Sequence, residues 1–156
     1  MIRSEKGVSA VEFALIAPLL FVLTFGIVEF GLLLFDKAVV TNASREGGRA
    51  AIVYDEDEDG VYTPPTPEEI QGVVTEYTES YLVNLGGDNS LDPPTIEYGD
   101  TPNGPWFSYP PTSGDYVRVT VTYAYDFLVF PNLTRLIGGS FDGTIDLVGK
   151  TVMRVE

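Results

Sequence analysis

From Phe13 to Phe35 the chain runs for 23 residues with a single charge, Glu29. At 1.5 Å of rise per helical residue, about 20 residues cross a hydrocarbon layer of roughly 30 Å, so a retained membrane helix is the best reading of this run. Two others compete with it. A cleaved secretory signal has an apolar core of roughly 7 to 15 residues followed by a small-residue cut site, whereas here Thr24, Gly26 and Gly31 are embedded among large apolar neighbours. A buried soluble helix would need an interior to surround it, since the run is apolar on every side. Positive charge does not orient the segment, because Arg3 and Lys6 on one flank are balanced by Lys37, Arg45 and Arg49 on the other.

The carboxylates are the informative departures. An ionised group near the hydrocarbon edge is costly unless it is paired or reaches the headgroups, which makes it a functional candidate by default. Glu12 stands at the start of the apolar run, and Glu29 follows 17 residues later near the opposite interface, where snorkelling into the headgroups would satisfy it. Pro18 removes one helical hydrogen bond and permits a kink or local melting. Ala10, Ala14 and Ala17 put small side chains on one face, which would let a second helix approach closely.

A short polar leader ending in Gly7, then Val8-Ser9-Ala10-Val11, then Glu12-Phe13, resembles the N-terminus of a class III (type IVb) prepilin. The longer stretch GVSAVEFALIAPLLFVLTFGIVEFGLLLFDKAVVTNASREGGRAA is similar along its length to the TadE-like family of minor pseudopilins of the tight-adherence (Flp/Tad) pilus. Pro18, Glu29 and the ASREGGRAA segment at 43–51 fall where that family has its Pro, its second Glu and its A-x-x-G-x-R-A ending. The resemblance covers about 45 residues and implies a prepilin peptidase cut between Gly7 and Val8 on the cytoplasmic side. The chain would then be a single-pass protein of the inner membrane with residues 54–156 outside the cytoplasm. Glu12, with Phe13 beside it, would dock a neighbouring subunit by pairing with its new amino terminus, since opposite charges attract strongly where the dielectric is low. Phe13 stands where the major pilins have Tyr. The implied partners are other pilin and pseudopilin subunits, the peptidase, the inner-membrane assembly platform and the lipid bilayer.

Beyond the apolar run the chain is acidic, with a net charge of −13 from Asp36 onward. That surface is soluble and offers no basic patch for nucleic acid. There is no Cys and no His, so disulfides, thiolate metal sites and the commonest general base are absent. No nucleophile motif such as G-x-S-x-G occurs either.

The helix is expected to continue past the membrane, with Val39, Ala43, Gly47 and Ala50 forming a narrow stripe of small residues. Gly47 and Gly48 each cost a helix about 1 kcal/mol against Ala, so they mark either close packing or a frayed end. A second helix is predicted over TPEEIQGVVTEYTESYLVNLGG, capped by Thr66, opened by Pro67, ended by Gly86-Gly87, and burying Ile70, Val73, Val74, Tyr77, Tyr81 and Leu82. Thr95–Tyr98 reads as a short strand. DYVRVTVTYAYDF alternates with period two and sends Val117, Val119, Val121, Tyr123 and Tyr125 to a core. A last strand would place Ile145, Leu147, Met153 and Val155 on one side, and FLVFPNLTRLIGG between the two strands reads as a short helix or a covering loop.

Two further groups invite chemistry. Asp55, Asp57, Asp59 and Gly60 spell D-x-D-x-D-G, the opening of a calcium loop, although Thr66 stands where a bidentate Glu would close it and a solvated acidic turn reads the same way. No other cofactor is indicated. Trp106, Phe107 and Tyr109, set between prolines, read as a lid on the core or as an exposed partner-binding patch.

The expected architecture is α+β and pilin-like: a long N-terminal helix, its first half transmembrane, packed on a small antiparallel sheet with an additional helix. Residues 1–7 would be a leader, 8–53 the helix and 54–156 the exported domain. The expected function is structural and not enzymatic, a minor pilin-like subunit acting in pilus assembly and initiation and in surface adhesion. The alternative is a membrane-anchored extracytoplasmic binding module that is not built into a pilus.

Overall fold

A computed structural model describes residues 5–56, 62–84, 91–107, 109–136, 138–140 and 143–155. One helix, α1, spans Glu5–Ile52 and passes through Pro18 without a break. A two-residue hairpin follows, β1 (Asp55–Glu56) antiparallel to β2 (Tyr62–Thr63). Then come α2 (Pro67–Tyr81), β3 (Thr95–Gly99), β4 (Tyr116–Asp126), the short helix α3 (Phe130–Leu136) and β5 (Thr144–Arg154). The sheet is antiparallel in the order β3-β4-β5, with β4 in the centre. It is an α+β fold, a long N-terminal helix packed on a three-stranded sheet with further helices.

Strict alternation carries β4. Val117, Val119, Val121, Tyr123 and Tyr125 are buried while the residues between them are half-exposed, as period-two side-chain placement requires. Each of the three valines taken out of water contributes about 2 kcal/mol. On the other side of the core, α1 buries a stripe at Glu29, Leu33, Asp36, Val40, Ala43, Gly47 and Ala51, the three- and four-residue spacing of one helix face. Val39 is buried beside it and Ala50 is half-buried.

The Gly47-Gly48 pair is a close-packing device rather than a frayed end. A Cβ on Gly47 would lie 2.5 Å from Val74 of α2 and 3.1 Å from Val119 of β4. One on Gly48 would lie 3.1 Å from Thr151 of β5. β5 answers with its own glycine, since a Cβ on Gly149 would fall 2.4 Å from the Val40 carbonyl oxygen. The close approach is pinned by polar contacts: Ser44 Oγ and Thr151 Oγ1 share a hydrogen bond of 2.8 Å, and Lys37 Nζ donates to the Val148 carbonyl.

α2 starts where the sequence expects it. Thr66 accepts from the Glu69 amide at 3.3 Å, and the Glu69 carboxylate accepts from the Thr66 amide at 2.7 Å, a reciprocal capping box with Pro67 in the first turn. It ends earlier than expected, at Tyr81, and Gly86-Gly87 lie outside the described residues. Ile70, Val74 and Thr78 form its buried line, with Val73 and Tyr77 half-buried on the flanks. Tyr81 corrects the expectation. It is exposed and packs on the Tyr77 ring, because the chain turns extended at Leu82 and that leucine closes the end of the core instead. Ile145 is a second correction: it shares the inward parity of Leu147 and Val155 but is 45 % exposed, at the end of β5 where neither α1 nor the sheet covers it.

Candidate functional site

The two ends of α1 meet different surroundings. Gly7, Val8, Ala10, Glu12, Phe13 and Ala14 are all exposed, and Ala17 is half-exposed. The helix is long and apolar enough to cross a membrane, and its most apolar 18 residues are not buried within the fold. The residues expected for processing, docking and helix packing therefore lie along one uncovered stretch of helix, Gly7 to Ala17, with Phe13 69 % exposed. The folded domain begins to cover α1 only around Val22–Phe30.

Glu29 is the first residue of α1 to be buried, at 4 % exposure, and it does not snorkel. Its carboxylate turns inward onto the segment that joins β4 to β5. Oε1 accepts the amides of Leu128 and of Val129 (3.0 Å), and Oε2 accepts the amide of Phe130 at 3.3 Å. The Tyr125 hydroxyl donates to the Glu29 carbonyl at 3.3 Å. Phe130 opens α3, so these amides are donors that a helix start leaves unpaired, and a carboxylate there also opposes the helix dipole favourably. The correction has a simple cause: headgroup snorkelling is what an isolated helix allows, and here a hairpin tip reaches Glu29 first.

Asp36, two turns further along the same face, is also fully buried. Its Oδ1 accepts the Val83 amide at 3.0 Å, just beyond α2, while Oδ2 finds no hydrogen-bond partner among the described residues. Both carboxylates thus fasten loops of the domain to the helix. Neither could be found from side-chain types, since the groups they hold are backbone amides 47 and about 100 residues away in sequence.

The aromatic group folds back over the sheet. Tyr98 and Phe107 exchange backbone hydrogen bonds, Phe107 N to Tyr98 O at 2.6 Å and Tyr98 N to Phe107 O at 3.0 Å. The Tyr109 ring packs edge-on against Tyr98, and its hydroxyl donates to the Pro64 carbonyl at 3.2 Å. Trp106 lies under the Arg118 guanidinium, 4.1 Å from the ring centre, and Arg118 Nε in turn donates to Glu97 at 2.7 Å. These contacts make the group a lid on the sheet. Burial and the neighbouring phenols of Tyr109 and Tyr54 push the Tyr98 hydroxyl up to about 12. Of the calcium candidates, Asp57, Asp59 and Gly60 lie outside the described residues, and the backbone of Asp55 pairs with Thr63 in the β1–β2 hairpin.

The arrangement so far is that of a free apolar helix leading into a domain built around its second half. Residues 7–49 match the family model described as TadE-like protein. That match spans both the uncovered stretch with Glu12 and the packed stretch with Glu29, Asp36 and the Gly47-Gly48 pair. It suggests a protein associated with a Tad pilus, a family of pilus components. No curated protein and no solved structure matches the chain, so residues 50–156 are characterised by their own structure.

Proposed function

We propose that this chain is a minor pilin-like subunit of a Tad-type pilus, processed by a prepilin peptidase between Gly7 and Val8 and acting in pilus assembly, initiation and surface adhesion. The observation that carries the reading is the TadE-like match at 7–49 lying on a helix whose first part is exposed and apolar. A subunit drawn from a bilayer into a helical bundle needs such a stretch, uncovered by its own domain and free to pack against copies or relatives. In this reading the N-terminus faces the cytoplasm and the domain lies outside. Glu12 pairs with the processed amino terminus of a neighbouring subunit, and Ala10, Ala14 and Ala17 let helices approach. The chemistry of the site is docking and not catalysis.

The test is the N-terminal residue of the mature protein, read by mass spectrometry from cells with and without the prepilin peptidase. A start at Val8 that depends on the peptidase is the expected result. A retained leader in both strains would favour an anchored binding module outside any pilus. A cut within residues 25–50 would make the protein secreted and the proposal wrong.

A further inference from the structure

We propose that the tip of the β4–β5 connection, Leu128 to Leu136, is a second membrane-contacting element that lies in the outer boundary of the bilayer beside α1. The inference rests on the membrane reading of α1 but not on any role in a pilus.

Helix length forces the first step. The tip sits on α1 between Val22 and Phe30, where it forms an open apolar groove of about 460 Å³ with Val129 and Phe130. The Phe130 ring lies 4.0 Å from the position a Cβ on Gly26 would take. Had the bilayer ended before this contact, the span available from Phe13, where the apolar run begins, to Val22 would be about 14 Å at 1.5 Å per residue. That falls short of the roughly 30 Å hydrocarbon layer. A full crossing from Phe13 needs about 20 residues, which carries the outer boundary to Leu32. Val129 and Phe130, packed against the stretch from Val22 to Phe30, then lie just inside that boundary.

Surface chemistry agrees. Among the described residues, the large apolar side chains that the domain exposes at this end are Leu128 (47 %), Phe130 (37 %) and Ile145 (45 %), and they continue the exposed apolar surface of α1. Asn132 and Arg135, one turn apart on α3, are exposed as well. An apolar edge beside a polar, cationic one is the composition of an interfacial helix.

Hydrogen bonding supplies the last requirement. Irregular backbone at the hydrocarbon edge is tolerated only when its amides are paired within the protein. The amides of Leu128, Val129 and Phe130 are paired by Glu29. The same contact satisfies the one charge in the apolar run, so the two polar costs at this depth cancel each other.

The chain has no Cys, which makes site-specific labelling direct. Full-length protein carrying Leu128→Cys, Ile145→Cys, Leu19→Cys or Asn103→Cys is labelled with a polarity-sensitive fluorophore. Each is reconstituted into phosphatidylcholine–phosphatidylglycerol vesicles containing a lipid with a nitroxide near the top of its acyl chain. Leu19 lies within the span, and Asn103 is exposed between β3 and β4, at the far end of the sheet. The expected result is quenching at Leu128 and Ile145 at least about threefold stronger than at Asn103, and independent of the protein-to-lipid ratio. Quenching at Leu19 with Leu128 no different from Asn103 overturns the inference and leaves the anchor intact. Quenching at Leu128 that disappears as the protein-to-lipid ratio rises also overturns it, since a second copy of the chain would then cover the tip. No quenching at Leu19 overturns the membrane reading and the inference together.

Discussion

The Glu29 carboxylate accepts the Val129 amide at 3.0 Å, across 100 residues of sequence, and joins the helix to the tip of the sheet. The contact sits where the uncovered part of α1 gives way to the packed part, so it fixes the angle and depth at which the domain meets the helix. Removing it should cost more than an exposed carboxylate would. Glu29→Leu leaves three amides without an acceptor and is expected to destabilise the domain by about 3 kcal/mol. Glu29→Gln retains one carbonyl oxygen and should lose about half as much. Urea unfolding in detergent micelles, followed through Trp106 as the sole tryptophan, measures both. Equal stability for Glu29→Leu and wild type would mean that the hairpin tip is held by apolar contact alone.

The glycines of α1 and the sheet predict a contrast among chemically identical substitutions. Gly149→Ala places a methyl 2.4 Å from the Val40 carbonyl oxygen and 3.1 Å from Thr41 Cα, both backbone atoms that cannot swing aside. β5 must lift from α1, at about 1–3 kcal/mol. Gly72→Ala adds a methyl to an exposed face of α2 with nothing within 4 Å, and should stabilise by about 0.5–1 kcal/mol through helix propensity. The two midpoints should move in opposite directions in the same unfolding assay.

Much of this was legible in the sequence because it depended on local rules. Alternation over 116–126 identifies β4 and its inward face, and Thr66 followed by Pro67 identifies the start of α2, whereas the Gly47-Gly48 pair leaves close packing and a frayed end both open. What escaped was non-local. Glu29 and Asp36 look like liabilities on a helix, and their partners are amides, which every residue but proline possesses. The fate of Tyr81 turned on where α2 stops, which depends on Leu82 turning away rather than on any breaker at that position. The uncovered stretch from Gly7 to Ala17 is different in kind: its residues are legible as a motif, and a single chain leaves them without the neighbours that would give them roles.

Tyr98 makes a prediction about alkaline stability. Its hydroxyl is buried and finds no hydrogen-bond partner among the described residues, and its pKa is pushed up to about 12 from 10.0. The unfolded chain ionises near pH 10 while the folded chain stays neutral. The stability contributed is therefore fully present below pH 10 and is lost as pH rises from 10 toward 12. The loss attributable to this residue is on the order of 2 kcal/mol. Tyr98→Phe should match wild type within about 1 kcal/mol at pH 7, since no hydrogen bond is given up, and should flatten the alkaline limb. The residual slope belongs to Tyr54, raised by burial and by nearby Asp115, and to Tyr125, raised by burial and by the carboxylates of Glu29 and Asp36.

At the acid end, Glu69 should act with the opposite sign. The Thr66 amide and hydroxyl donate to its carboxylate and lower its pKa below 4.5. Its contribution is present above pH 4.5 and lost as pH falls through the folded value. Thr66→Ala should cost about 1 kcal/mol at pH 7 and progressively less as pH falls below 4.5 and the carboxylate of the box takes up its proton.

Glu12 and Glu29 stand 17 residues apart on one helix, about 25 Å by helical rise, and the proposed function requires them to fail differently. Glu29 is consumed by contacts within the chain, so its substitution acts on folding. Glu12 is exposed, on a stretch the domain leaves uncovered, so Glu12→Ala should leave the urea midpoint unchanged within about 0.5 kcal/mol. Its effect should appear only when subunits meet. A carboxylate carried into a helix bundle must find a positive partner or bear its desolvation alone, so the variant should be processed at Val8 yet fail to co-purify with sheared pili. Glu12→Asp, which keeps the charge on a shorter arm, should recover part of that incorporation, whereas Glu12→Gln should not. Full incorporation of Glu12→Ala would show that the carboxylate is not the docking group and would leave helix packing at Ala10, Ala14 and Ala17 to select the neighbouring subunit.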